Sequence, residues 1–587
     1  MDVLVVDLTH GGVKIAVEME KLGDFDNIWG YDIYNTLKKD DKQLLKSYNI
    51  KVLDSYNKVD SYNKELSNSI TDNEFLLFEN FLNNLDSKEL LIINPVHSPF
   101  NLYSLFNLDS NIVYNSDFNI NYSYNGLNIK EITHHEAVKL ILKNWKEKTK
   151  IEDIPIIEVT GVKGKTSVVA MLKEIMIAKN PLVLSSLGAF YYKDNKKISL
   201  KKNISITPAS ILETIDLAKN NNNSKNNSSN NNSKNNDNSK YNEFSYNSAI
   251  FESSLGVTGL GDIGVLTNIV ENYSIAKNTS NAKEAKQQVF NCDIVVIDKE
   301  TLEKYYFDKL NSFNSEELEN KINTFSFNDK NSNVSINKVN YGLNSTFIDI
   351  SYKNIKTKSG EFINGSFDFE TFAPGQHHVS NVLATVTVAL SLNLHEDIIK
   401  KGLANFKGIK GRTSLKVKDG FVIIEEINPG INTKAIESSI KMIKNLEDYT
   451  IILGGKYGVT CEEINEDKVA ILLDEFIDKY NFIDNFKDSS IDNSKSSFKN
   501  NSVDSSKSSF KNNSVDSSKS SFKNNGLEKE KIFDLILTDD LGSSISKIMK
   551  NQVKYIKNPI EAQNLAISNN KNVLFIYRSN YSQINKR

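Results

Sequence analysis

Chemistry is densest in the segment Thr160-Gly161-Val162-Lys163-Gly164-Lys165-Thr166-Ser167. Gly161 and Gly164 would let the backbone wrap closely round an anion, Lys165 would reach the β- and γ-phosphates of a nucleotide, and the Thr166 hydroxyl would ligate Mg²⁺. The strict GxxxxGK[ST] spacing fails, because Val159 stands where its first glycine would be. Context restores the signal: an apolar run, Ile154–Thr160, precedes the segment and a helical pattern from Lys165 to Ala178 follows it. A buried strand that breaks at a glycine and enters a helix aims its free N–H groups at one spot, where the helix dipole also favours an anion. Nucleotide contacts are therefore expected from Gly161, Val162, Lys163, Gly164, Lys165, Thr166 and Ser167.

A second set of chemically able residues lies near the N-terminus. Thr9-His10-Gly11-Gly12 closes the first apolar run, Asp32 ends the second, and His97-Ser98 follows Leu90–Asn94. His134-His135 opens a helical pattern over Glu136–Leu142, so four of the seven histidines fall in the first 135 residues. Open α/β sheets bind ligands at strand ends of this kind. Substrate contacts are expected from His10, Gly11, Gly12, His97, His134 and His135, although ordinary helix capping and a glycine turn would account for each singly. Without a G-x-G-x-x-G, a dinucleotide is not expected.

Short β-branched runs alternating with helical patterns predict parallel α/β sheets to carry these groups. Strands are expected at Val3–Asp7, Asn27–Asp32, Leu90–Asn94, Ser248–Glu252, Gly264–Asn268 and Asp293–Asp298, with a helix over Gly12–Leu22. After Phe406 the pattern restarts with strand Phe421–Glu426, helix Asn432–Lys444, strands Thr450–Gly454 and Asp534–Thr538, helix Pro559–Ser568 and strand Asn572–Tyr577. A chain of 587 residues exceeds one core, and the expected division is 1–150, 151–405 and 406–587. Two stretches cannot pack: the Asn/Ser/Lys run 220–240, and a 12-residue repeat over 489–524 with a single Phe per copy. Both predict disordered insertions, and they dilute the apolar fraction to 39%.

A net charge of -3 gives no basic face for nucleic acid or an anionic membrane. The two cysteines, Cys292 and Cys461, are too few for a disulfide framework and too far apart for a metal knuckle. With no basic leader and no run of 18 apolar residues, a cytoplasmic protein is expected. Oligomeric state is not legible.

The phosphate segment after its apolar strand resembles the central domain of the Mur ligase family, which includes peptidoglycan peptide ligases and folylpolyglutamate synthase. Downstream segments agree in order. Phe251-Glu252-Ser253-Ser254 resembles the family's E-x-S-S, and Leu266-Thr267-Asn268-Ile269 its T-N-I strand end. Pro374-Gly375-Gln376-His377-His378-Val379-Ser380-Asn381 is similar to a G-x-H-N-x-x-N element, with His378 in place of the usual Asn, and Gly411-Arg412 to the G-R pair opening the third domain. The resemblance implies a three-domain α/β architecture: a Rossmann-like N-terminal domain, a P-loop ATPase centre and a Rossmann-like C-terminal domain. It also implies ATP and Mg²⁺ as cofactors, with the metal on Thr166 and Glu252 and nucleotide contacts from Asn268 and Arg412. Lys165, Glu252 and His377 are the catalytic candidates. The implied reaction makes an acyl phosphate from a carboxylate. Where the peptide ligases carry an Asp-His pair whose His holds a second magnesium, this chain has Glu271-Asn272-Tyr273, so either the second metal is lost or Glu271 replaces that ligand. Lys286 aligns with a lysine carbamylated in several members; beside Tyr273, a plain surface lysine is expected.

The N-terminal segments Asp7–Gly12, Asp32-x-Tyr34-x-Thr36, Pro95-x-His97-Ser98-Pro99 and His134-His135, with Glu425–Asn432, resemble a tetrapyrrole-processing branch of this family. That implies a tetrapyrrole substrate with nickel already inside it, a propionate activated by ATP, and attack by a carbon of the same macrocycle. Two alternatives stay open: a ligase that joins an amino acid to a pseudomurein precursor, and a nucleotide-binding switch without ligation chemistry.

Overall fold

The computed structural model describes residues 1–53, 67–106, 113–114, 120–149, 154–229, 246–275, 280–310, 318, 320–342, 345–428, 431–443, 448–457, 464–480 and 533–579. The repeat segment 489–524 and residues 230–240 lie outside them, as does Cys461. Asn220–Ser229, expected to be disordered, instead continues the helix Pro208–Ser229. The architecture is α/β throughout, in two compact units, Met1–Ile409 and Lys410–Arg587.

The first unit holds two large sheets. In the N-terminal one, the run Asp2–Val6 is a fully buried strand, parallel to Ile28–Tyr31 on one side and to Glu89–Asn94 on the other. A strand covered on both faces needs apolar residues at every position, which is why Val3-Leu4-Val5-Val6 shows no alternation. Its side chains still divide by parity. Val3 and Val5 join a core with the helix Val13–Leu22, while Leu4 and Val6 pack with Phe78, Phe81 and Phe100 beneath the opposite face. At the far edge, Ile120–Tyr124 pairs antiparallel with Leu127–Thr133 through Asn125-Gly126, both at positive φ, as a tight hairpin turn requires.

The second sheet has eleven strands with the phosphate-loop strand Ile156–Thr160 well inside it, between Ser248–Glu252 and Ile263–Leu266, all parallel. Ile294–Asp298 and Ile322–Ser326 extend it in parallel. An antiparallel meander of Val334–Asn340, Thr346–Lys356 and Phe362–Thr371 completes that side. Sequence reading did not foresee the meander, because its buried positions alternate with Asn, Lys and Ser that hide the apolar stripe. Beneath the sheet runs the helix Gln376–Ser391, buried nearly all round. It tolerates Thr385, Thr387 and Ser391 because each hydroxyl donates to the carbonyl four residues back.

The expected segments 1–150 and 151–405 share one core. Val3, Val5, Ile15 and Ile141 of the N-terminal part cluster with Leu182, Leu184, Ile211 and Ile215 of the central part. Lys14 adds an ion pair to Asp216 across the same contact.

In the second unit the strands run Arg412–Lys418, Phe421–Ile427, Asn572–Arg578, Tyr449–Gly455, Phe533–Thr538 and Lys554–Ile556 across the sheet. All pairs after the opening antiparallel one are parallel. Among the described residues, no helix is long and apolar enough to cross a membrane.

Candidate active site

The strand Ile156–Thr160 ends at Gly161, whose φ of 142° and the 89° of Gly164 both lie in the region that favours glycine. Close packing excludes a side chain as well. A Cβ on Gly161 would stand 2.0 Å from Thr267 Oγ1, and one on Gly164 2.1 Å from Asn381 Oδ1. The loop between them is clamped by the T-N-I segment. Asn268 accepts from Val162 N through its carbonyl (2.9 Å) and from Lys163 N through Oδ1 (3.1 Å). Asn268 Nδ2 and Thr267 Oγ1 both donate to the Lys163 carbonyl, at 3.1 and 2.5 Å. The contacts seen for Asn268 thus shape the phosphate loop from behind.

Lys165 opens the helix Lys165–Ile175, and its ammonium donates to the Gly161 carbonyl at 2.9 Å, folded back over the loop. Thr166 follows, buried, and its hydroxyl donates to Glu252 Oε1 at 2.9 Å. Glu252 sits at the end of its strand with 1% exposure, and its other oxygen accepts from Ser186 N at 2.9 Å. The Ser186 hydroxyl lies 3.0 Å from that of Thr166. A hydroxyl in the first turn of the helix after the phosphate loop, in contact with a buried carboxylate at the C-terminal end of the adjacent parallel strand, makes a pair of hard oxygen donors of the kind Mg²⁺ accepts, with phosphate and water filling its remaining positions. Sequence reading missed Ser186. It sits at the tip of the turn joining Pro181–Ser185 to Gly188–Lys193, and nothing in Ser185-Ser186-Leu187-Gly188 marks it.

The loop after Glu252 is pinned by another carboxylate. Glu158, within the phosphate-loop strand, accepts from the backbone N–H groups of Thr258, Leu260 and Gly261 and from the Thr258 hydroxyl. Burial pushes its carboxyl above the usual range against those bonds. His377 lies exposed in the first turn of Gln376–Ser391, on the helix whose Asn381 touches Gly164. Arg412 is exposed at the start of the second unit's first strand, in register with Glu426.

Lys286 departs from expectation. It is fully buried, its ammonium donates to the Ser254 carbonyl at 2.6 Å, and burial, assisted by Lys165, lowers its pKa to about 7. A surface lysine is excluded. Tyr273, by contrast, is partly exposed in front of the short hairpin Ser274–Ile275 with Ser280–Asn281.

The N-terminal histidines separate into two kinds. His134 and His135 are buried, and burial lowers their pKa values to about 4 and about 3. His134 Nε2 meets the Val6 carbonyl at 2.9 Å, tying the helix His134–Thr149 to the first strand. Expected among the substrate contacts, it lies buried and serves in the fold as a structural tie. His135 is buried beside His134, with Lys286 and the Gly256 backbone among its neighbours. His10 and His97 instead converge, partly exposed, on the buried Asp7. Gly11 (φ 105°) and Gly12 are needed by close approach, to Ala209 and to the Asp7 carbonyl respectively.

Fold and loop together define an α/β protein whose glycine-bounded loop, between a buried strand and a helix N-terminus, has the geometry that suits a phosphate group. Comparison with known proteins narrows this class. The family described as coenzyme F430 synthetase CfbE, C-terminal domain, matches residues 415–520. The coenzyme F(430) synthetase of Methanocaldococcus jannaschii is 26% identical over 493 residues, 82% of this chain and 90% of that relative. The synthetase of Methanosarcina acetivorans is 26% identical over 501 residues, 80% and 87% of the two chains. Among solved structures, MurF from Acinetobacter baumannii matches with a TM-score of 0.47 and 12% identity, over 78% of this chain and 81% of its own. The chain is an ATP-dependent ligase that resembles the Mur ligases, and its sequence similarity to coenzyme F(430) synthetases runs along most of its length.

Proposed function

We propose that this ligase closes a carbocyclic ring on a nickel-containing seco-tetrapyrrole, as a coenzyme F(430) synthetase. ATP would phosphorylate a propionate of the macrocycle, and a carbon of the same molecule would displace the phosphate, giving ADP, phosphate and a ketone. The observation that carries the ligase chemistry is the Thr166–Glu252–Ser186 contact at the mouth of the phosphate loop. The tetrapyrrole is supported by the similarity to the two synthetases over four-fifths of the chain.

A carboxylate is a poor electrophile, and a phosphoryl group turns its oxygen into a leaving group. Gly161–Thr166 would bind the phosphates through backbone N–H groups, and Lys165 would leave the Gly161 carbonyl to meet the charge that grows on the transferred phosphoryl. Thr166 and Glu252 would hold Mg²⁺, which neutralises phosphate oxygens when bound. His10, Gly11, Gly12 and His97 form the substrate side. Because nucleophile and electrophile belong to one molecule, ring closure benefits from proximity and the protein mainly positions them. No amino acid is consumed, and nickel stays inside the substrate.

The purified chain, given ATP, Mg²⁺ and the nickel seco-precursor alone, should form ADP together with a change in the tetrapyrrole spectrum. ADP formation that requires an added amino acid would overturn this reading in favour of a peptide ligase. Nucleotide binding with no substrate-dependent ADP would leave only a switch.

A further inference from the structure

Asp7 terminates the first strand at 0% exposure, with its backbone in the left-handed region at φ 61°. That is a strained conformation for a residue other than glycine, of the kind concentrated at functional sites. Its Oδ2 lies 2.8 Å from His10 Nδ1 and 3.0 Å from His97 Nε2, and its Oδ1 accepts from the His10 backbone N–H at 3.3 Å. Burial works against its charge, but the hydrogen bonds from His97 and His10 prevail and hold the carboxyl below its usual range. A carboxylate acceptor fixes the tautomers: His10 carries its proton on Nδ1 and His97 on Nε2, so the outer nitrogen of each ring keeps a lone pair. The His10 side chain is 50% exposed, with Tyr34 edge-on at 5.4 Å.

This turn lies beside the phosphoryl chemistry. A Cβ on Gly11 would strike Ala209 at 2.5 Å. Ile206, three residues earlier, accepts through its carbonyl from Ser254 N at 3.1 Å, just beyond Glu252. One short segment therefore joins the His10 turn to the backbone that follows Glu252.

Building on the ring-closing reading above, we propose that His10, oriented by Asp7 with His97 as the second donor to the same carboxylate, is the general base that deprotonates the carbon nucleophile. The C–H electron pair forms the new bond to the acyl carbon, and the C–O bond breaks with its pair passing to phosphate. The proton rests on His10 Nε2 as an imidazolium paired with Asp7, and solvent removes it from the half-exposed ring. The other ionisable groups around the pair are His97, Asp32 and Tyr34 at the neighbouring strand ends and His134 from the helix beneath. The Thr207–Ala209 segment adds no charge.

The test separates the two half-reactions. Full-length wild type is given the nickel seco-precursor, ATP and Mg²⁺, and acyl phosphate is trapped with hydroxylamine while ring-closed product is measured in parallel. His10→Ala should slow ring closure by roughly 10²–10⁴-fold while hydroxamate still accumulates, and added imidazole should restore part of the closure. Asp7→Asn, which preserves packing, should also slow closure and shift the acid limb of its pH profile. Closure within a few-fold of wild type in His10→Ala overturns the proposal. So does a rise in KM alone, and so does a transition metal bound stoichiometrically by wild type and lost in His10→Ala, which would assign the cluster to a cation. If wild type itself yields neither hydroxamate nor ring-closed product from the seco-precursor, the ring-closing reading falls first and the base falls with it.

Discussion

Glu252 shows how one side chain can be ordinary in sequence and decisive in place. As a strand-end carboxylate it could have faced water; instead both oxygens are taken by groups of the phosphate loop and the adjacent turn. Replacing it by Gln keeps the shape and removes the charge, so Glu252→Gln should still bind nucleotide but lose the Mg²⁺ dependence of binding, read by calorimetry with and without the metal. Lys165→Ala removes the ammonium that must leave Gly161 for the phosphates. It should lower substrate-dependent ADP formation on the order of 10²–10³-fold, the usual cost of one charge-stabilising donor, and an effect below ten-fold would count against its place at the transferred phosphoryl. Gly164→Ala meets both a positive φ and Asn381 at 2.1 Å. It should cost about 1–3 kcal/mol in thermal unfolding and abolish tight nucleotide binding.

Elements explain why these residues meet. The phosphate-loop strand, the Glu252 strand and the T-N-I strand are parallel neighbours, so their C-terminal ends emerge side by side. The first strand is held to its neighbouring helix by the His134–Val6 bond, and that tie has a pH signature. Burial lowers the His134 pKa from 6.5 to about 4 in the folded chain. Above pH 6.5 folded and unfolded forms are both neutral; as pH falls toward about 4 the unfolded histidine binds a proton that the folded one does not, so stability is lost through that window. His134→Gln should be less stable at pH 7 yet lose up to about one proton less in the slope of stability between pH 6.5 and 4, measured by urea unfolding across pH. An unchanged slope would mean that the ring protonates in place.

At the scale of the whole molecule, the N-terminal and central sheets cannot be separated cleanly. Val3, Val5 and Ile15 share their core with Leu182, Ile211 and Ile215, so a fragment of residues 1–150 exposes that face. It should aggregate or melt without cooperativity, whereas residues 1–409 and 410–587 should each unfold cooperatively, as calorimetry of the three fragments would show. A stable, monomeric 1–150 would refute the shared core.

Much of this was legible before any coordinates. Strand Ser248–Glu252 and helix Pro559–Ser568 have the bounds that their patterns predicted, and most others differ by a residue or two at their ends. Buried parallel strands announce themselves through unbroken β-branched runs, and the phosphate loop through glycines that no other residue could replace. Local rules carry that information because each depends on neighbours in the chain. What depended on distant packing was hidden. Ser186 reaches Glu252 only because a hairpin folds over it, and His134 is consumed inside while His10 and His97 stay open. Lys286, expected at the surface, is buried against the Ser254 carbonyl. Asp7 becomes the hub of two histidines only when the loop after Glu89–Asn94 swings His97 over the end of the first strand. The sequence by itself determined the class of fold and the form of the glycine-bounded loop, since these rest on periodicity and on glycine. Only the tertiary structure decided which polar side chains face a substrate, because burial is set by what packs opposite.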